Sequence, residues 1–210
     1  MTGHWTEAHL GKPPAPYGDT VTYELAAEWL KDCELVEDWG CGLGWSGRYF
    51  HHWRGVDGSQ SPTVDEVVDL TKYRSWVPGL LLRHVLEHNV EWPAILDNAL
   101  ASFSKRMALI LFTPMAVDRT QVIAWNYGYE VPDISFLAED LEGRFPSDVR
   151  FTVEDLHTKS LYGVERIYYM WRGNGYEETQ TVEVQEGRAP QAAWGAGREE
   201  DPGEEEGSGP

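Results

Sequence analysis

Leu35-Val36-Glu37-Asp38-Trp39-Gly40-Cys41-Gly42-Leu43-Gly44 reads as a buried strand that closes near a carboxylate and runs directly into a glycine-rich turn. Glycines at positions 40, 42 and 44 let the backbone turn sharply and approach a ligand that any Cβ would obstruct. A helix usually opens after such a turn, so a short one is expected from near Trp45 to near His52, its first unpaired N–H groups facing the ligand. Asp38 stands two residues before the first glycine and is held at the turn as a hydrogen-bond acceptor.

Working outward, Gly55-Val56-Asp57-Gly58-Ser59 and Val67-Val68-Asp69-Leu70 each close an apolar run on an aspartate. Both carboxylates should therefore emerge at the rim that carries the glycine turn, the carboxyl end of a parallel sheet, where open α/β sheets bind ligands. Gly79 to Val85 is nearly all apolar, as expected of a strand covered on both faces, and it leads into Leu86-Glu87-His88.

In order and spacing these four segments resemble the motifs of the class I S-adenosylmethionine-dependent methyltransferases. The resemblance implies an α/β, Rossmann-like methyltransferase fold with a mostly parallel seven-stranded sheet, an antiparallel edge hairpin and helices on both faces. It also implies S-adenosylmethionine as the cofactor, with Asp38, Gly40, Cys41, Gly42 and Gly44 at the donor turn. Asp57, with Gly58 and Ser59, would hold the ribose hydroxyls, Asp69 and Leu70 would meet the adenine, and His84 would lie near the methionine part.

The rest of the chain fits one such domain over residues 19–173. Asp19 or Thr20 can cap a helix with Leu25, Ala26, Trp29, Leu30 and Cys33 at amphipathic spacing. Trp92, Ile95, Leu96, Ala99, Leu100 and Phe103 give the clearest helix, with Pro93 in its first turn, and Met107 to Phe112 a fifth buried strand. Ile134, Leu137, Ala138, Leu141 and Phe145 suggest another helix. Two alternating runs, Val149-Phe151-Val153 and Ile167-Tyr169-Trp171, flank Tyr162-Gly163 as an edge hairpin. Residues 1–18, with Trp5 and Tyr17, read as an irregular arm that with Tyr23 could form a lid. Met115 to Pro132 holds no period and crowds Trp125, Tyr127 and Tyr129, so it reads as a long loop covering the acceptor. Tyr17, Trp125 and Tyr127 are the candidate acceptor contacts.

Of 35 acidic and 17 basic side chains, ten and two fall in residues 174–210, a stretch whose Gly, Pro and Glu content reads as disordered. The remaining body is still acidic, which disfavours duplex nucleic acid as a partner. Cys33 and Cys41 lack paired spacing and suit a reducing compartment. No apolar stretch is long enough to cross a bilayer, and a basic-then-apolar leader is absent, so a cytoplasmic protein without membrane association is expected. A homodimer stays open.

Methyl transfer from a sulfonium is an in-line displacement that needs alignment and exclusion of water. A hydroxyl or ammonium acceptor also needs a base, for which His88, His84 and Glu87 are the candidates, His88 foremost. Three rivals remain. His84-Val85-Leu86-Glu87-His88 satisfies H-x-x-E-H, a zinc pattern, but follows a strand where a helix is required, so no metal is expected. Gly42 to Gly47 fits G-x-G-x-x-G of nicotinamide enzymes, and a catalytically silent donor-binding subunit would share the fold. The Asn/Asp-Pro-Pro-aromatic signature of amino-directed DNA methyltransferases is absent and neither cysteine follows a proline. A small metabolite, nucleotide or sugar is the expected acceptor, with a protein substrate open.

Overall fold

The computed structural model describes residues 12–126 and 131–173. Strand β4 (Val77–Arg83) explains how the layers form. Leu80 and Leu82 join one apolar cluster and Leu81 the other, because successive side chains of a pleated strand leave by opposite faces. In β5 (Phe103–Leu111), Met107, Leu109 and Leu111 feed the first cluster while Ala108 and Ile110 feed the second. Helix α1 (Val21–Leu30) closes the second face with Ala26 and Leu30, and α2 (Trp92–Leu100) closes the first with Ile95, Leu96, Ala99 and Leu100.

The remaining strands are β1 (Val36–Trp39), β2 (Trp53–Asp57), β3 (Glu66–Val67), β6 (Gln121–Asn126), β7 (Val131–Ser135), β8 (Val149–His157) and β9 (Val164–Arg172), with a short helix α3 (Ala138–Glu142). Seven form one sheet in the order β3-β2-β1-β4-β5-β9-β8, and β6 and β7 form a separate antiparallel pair. Strands β1 to β5 are parallel, while β9 runs antiparallel to both β5 and β8. The expected mixed sheet, edge hairpin and helices on both faces are all present. No helix among the described residues is long and apolar enough to cross a membrane.

Four local expectations need correction. After Gly44, which adopts φ 67°, only a five-residue 3-10 turn forms (Trp45–Tyr49), so no α-helix follows the glycine turn. Ala138–Glu142 is the whole of the helix expected to begin near Ile134; Ile134 itself belongs to β7, paired with Val122. Within the stretch read as a structureless cover, residues 121–126 and 131–132 belong to the antiparallel β6–β7 pair. Phe103, which continues the period of α2, already opens β5. Trp5, Tyr127, Tyr129 and the acidic stretch 174–210 lie outside the described residues.

At the amino end of the sheet, the fully buried Glu37 accepts hydrogen bonds from Trp39 Nε1 (2.7 Å), Arg54 (3.0 Å), Tyr73 (3.1 Å) and Ser75 (2.5 Å). A buried carboxylate costs several kcal/mol unless its lone pairs are met. Here four donors from β1, β2 and the segment leading to β4 meet them, locking those strands together.

Candidate active site

The carboxyl ends of β1, β2 and β4 open onto a cleft of about 860 Å³. Gly40 N and Cys41 N both reach Val56 O, at 2.8 and 3.3 Å, which pins the glycine turn against β2. At Gly42, with φ 53°, a Cβ would stand 3.5 Å from the Tyr17 ring, so the arm lies directly over the turn.

Asp38, Asp57 and Asp69 all line this cleft, together with Gly40, Cys41, Gly42, Gly58, Ser59, Leu70 and His84. Asp57 accepts from Gly42 N at 2.9 Å and from Ser59 N at 2.8 Å, tying the two turns together. Burial raises its pKa above the ordinary aspartate value against those amide bonds. Asp38 is pushed up to about 7 by burial, with the Asp57 charge adding to it, although Ser46 donates a hydrogen bond to it. Asp69 behaves oppositely: the ammonium of Lys72 and the hydroxyl of Thr71 hold its carboxyl down at about 2.

Two of the candidates are not at the cleft. Gly44 is there to admit Thr63, whose Cβ would lie 2.5 Å from an added methyl, and it is not part of the cleft lining. Glu87 is fully buried, and its Oε1 accepts from the Phe112 amide at 2.6 Å, with burial raising it to about 7. It fastens the exit of β4 to the end of β5 and does not face a substrate.

The histidines divide the work. His84, with φ 58°, is the one non-glycine residue with positive φ among those described, and its Nε2 bonds to Glu165. Burial and the neighbouring Arg83 charge push it down to about 4, and its Nε2 is already engaged by Glu165. His88 Nδ1 donates to the Pro132 carbonyl at 3.0 Å and stands 3.3 Å from Asp133 Oδ1. Burial would lower His88, but the hydrogen bond to Asp133 and the charge of Glu87 outweigh it and raise its value. Tyr162 donates to Asp133 Oδ2 at 2.8 Å, so β7 and the β8–β9 turn jointly orient the imidazole. The Phe112 ring lies 4.8 Å from His84 and 5.3 Å from His88, forming the wall between them.

Behind His84 is a network that sequence reasoning missed. Arg83, 3% exposed at its side chain, donates to Glu165 Oε1 at 2.8 Å, to Thr22 Oγ1 at 2.9 Å and to the Tyr17 carbonyl at 2.9 Å. Burial pushes Glu165 up, yet His84 and the Arg83 charge outweigh it, so its carboxyl sits below the ordinary range. An arginine inside a run buried on both faces must be paired, and that was the available signal. Nothing in the sequence singled out Glu165, Asp133 or Tyr162 as partners.

His84 and Glu87 are thus both engaged elsewhere, and no three His, Cys, Asp or Glu side chains among the described residues gather as a metal-ligand set. A dinucleotide fares no better, since its pyrophosphate needs a helix N-terminus at the glycine turn. That turn here leads into a 3-10 segment and is flanked by Asp38 and Asp57.

No family model and no curated protein matches the chain. Solved structures do. It is similar to a 1,6-didemethyltoxoflavin N1-methyltransferase of Burkholderia thailandensis, crystallised with 1,6-didemethyltoxoflavin and S-adenosylhomocysteine, at TM-score 0.56 and 15% identity over 73% of this chain and 79% of that one. It is similar to the magnesium protoporphyrin IX methyltransferase of Synechocystis PCC 6803 with S-adenosylmethionine bound, at TM-score 0.56 and 16% identity over 80% and 89%. The cyclase SpnF matches at TM-score 0.51 and 14% identity over 78% and 86%. Strand order, the glycine turn and these likenesses agree: the chain has the Rossmann-like fold of the class I S-adenosylmethionine-dependent methyltransferases.

Proposed function

We propose that the protein is an S-adenosylmethionine-dependent methyltransferase acting on a small-molecule acceptor. The observation that carries this reading is the convergence of Asp38, Asp57 and Asp69, from three different strand ends, on one cleft beside a glycine turn. A donor that is cationic and lacks phosphate suits such a site, whereas a phosphate-bearing ligand would be repelled. When bound, S-adenosylmethionine supplies a methyl carbon on a positively charged sulfur, and the carbon–sulfur bond breaks with its electron pair left on sulfur as the acceptor takes the methyl group.

In this reading the Asp57 carboxylate, with Gly58 and Ser59, holds the ribose, Asp69 and Leu70 border the adenine, and Asp38 faces the donor's positive charge. Tyr17 covers the glycine turn and excludes water. His88, held by the Pro132 carbonyl and Asp133, takes the acceptor's proton, and Phe112 keeps the path to it apolar. The acidic body argues against duplex nucleic acid, and two cysteines without a disulfide fit a cytoplasmic setting.

Calorimetry on the intact chain tests the reading. S-adenosylmethionine and S-adenosylhomocysteine are both expected to bind with stoichiometry near unity, and an absence of heat for either ligand removes it.

A pH dependence follows from Asp38. Below about pH 7 its carboxyl is protonated and must lose that proton when a cation binds, so donor affinity is expected to fall up to about tenfold per unit as pH drops, and to level off above pH 7. Titrations from about pH 5.5 to about pH 8 on the parent and on Asp38→Asn check this: the slope should vanish in the variant. A slope that persists there assigns the proton to another group.

A further inference from the structure

We infer that the methyl acceptor is a neutral, flat, apolar ring compound, such as a phenol or a ring N–H heterocycle, and not the nucleotide or sugar that the sequence left open. The inference rests on the methyltransferase reading and narrows its substrate. Eleven large apolar side chains are exposed among the described residues, and four of them, Tyr17, Val90, Trp125 and Leu161, lie around the mouth of this one cleft. They come from four separate segments: the arm, the loop after β4, strand β6 and the β8–β9 turn.

Exposed apolar side chains scattered singly need no explanation, but a ring of them at one opening does. Leu161 is 74% exposed and Val90 59%, and each gains only if a further apolar surface covers it. At the mouth, the exposed Trp125 and Tyr17 rings offer faces on which a planar ring stacks.

Charge excludes an anionic acceptor. Five carboxylates line the cleft, those of Asp38, Asp57, Asp69, Glu91 and Asp133, and the cationic groups beside them, Arg83, His88 and Lys72, are already paired with Glu165, Asp133 and Asp69. A phosphate or carboxylate on the acceptor would enter a negative field in which each cation among the described residues of the lining is already paired. A sugar would bury hydroxyls against Val90, Trp125 and Leu161, none of which accepts or donates a hydrogen bond through an aliphatic or ring-face contact.

Binding separates the possibilities without any need for the natural acceptor. In the presence of saturating S-adenosylhomocysteine, calorimetry should detect binding of naphthol, a neutral flat phenol, and none of adenosine monophosphate or glucose phosphate. Trp125→Ala and Leu161→Ser, both at exposed positions, should weaken naphthol by roughly tenfold and roughly threefold while leaving S-adenosylhomocysteine affinity unchanged. Binding of either phosphate compound as tightly as naphthol, or naphthol binding indifferent to both substitutions, overturns the inference. S-adenosylhomocysteine that binds while naphthol does not overturns the acceptor class alone; S-adenosylhomocysteine that fails to bind takes the methyl-transfer reading down as well.

Discussion

Replacing Asp57 by Asn is expected to weaken S-adenosylmethionine and S-adenosylhomocysteine alike by about 100-fold or more, with the fold retained. A carboxylate offers about four lone pairs, and two of those on Asp57 are taken by Gly42 N and Ser59 N. Asp57 lines the cleft, where a ribose would present two hydroxyls. Hydrogen bonds to a charged group contribute about 1.5–3 kcal/mol each, so losing the charge and one acceptor oxygen reaches the 100-fold scale. The amide also turns an NH2 towards one of the two backbone N–H groups, which loosens the glycine turn from β2. Calorimetry on the variant, with circular dichroism to verify folding, measures both parts. Affinity within about threefold of the parent would falsify the assignment of Asp57 to the donor.

The largest expected effect on stability comes from Glu165→Ala. Glu165 is 1% exposed, accepts from Arg83, bonds to His84 Nε2, and shares the Thr22 hydroxyl between its two oxygens. Its removal leaves the Arg83 guanidinium buried without an anion, a loss of about 3–5 kcal/mol in comparable cases. For a chain of this length that corresponds to a fall in Tm of roughly 10 °C. The double variant Arg83→Leu with Glu165→Leu should recover a large part of it, because neither charge then remains buried. Scanning calorimetry on the three proteins decides; a single variant within about 2 °C of the parent means the pair contributes nothing net. The sign with pH is fixed too. Because the folded environment holds Glu165 below its ordinary value, its contribution is present at neutral pH and is lost as pH falls through the acidic range.

How much of this was legible beforehand depended on whether the cause was local. Leu80-Leu81-Leu82 announces a doubly covered strand because each face demands its own apolar residue, and the structure sends them alternately to the two layers. The glycine turn and the aspartates at or just beyond the ends of β1, β2 and β3 were readable for the same reason: each is a short-range demand on one stretch of backbone. The missing α-helix after Gly44 was not. Only thirteen residues separate β1 from β2, four of them glycines, and the chain spends them on the turn and a tight 3-10 segment instead. Ile134 misled because its spacing to Leu137, Leu141 and Phe145 is helical, while its actual partner, Val122, lies in another strand. His84 and Glu87 were visible as polar residues at a ligand rim, but their engagement by Glu165 and by the Phe112 amide is set by elements 81 and 25 positions away. The same holds for Asp133 and Tyr162, which reach His88 from other elements.

The strand order also governs how copies of this protein meet at high concentration. One border of the sheet, β3, is only two residues long, too short to template a foreign strand. The other, β8, is nine residues long but exposes Arg150, Glu154 and Asp155 along it, with Asp155 already paired to Arg166. An incoming strand would have to desolvate those charges to pair there, so the long border resists edge-to-edge aggregation by its side chains and the short one by its length.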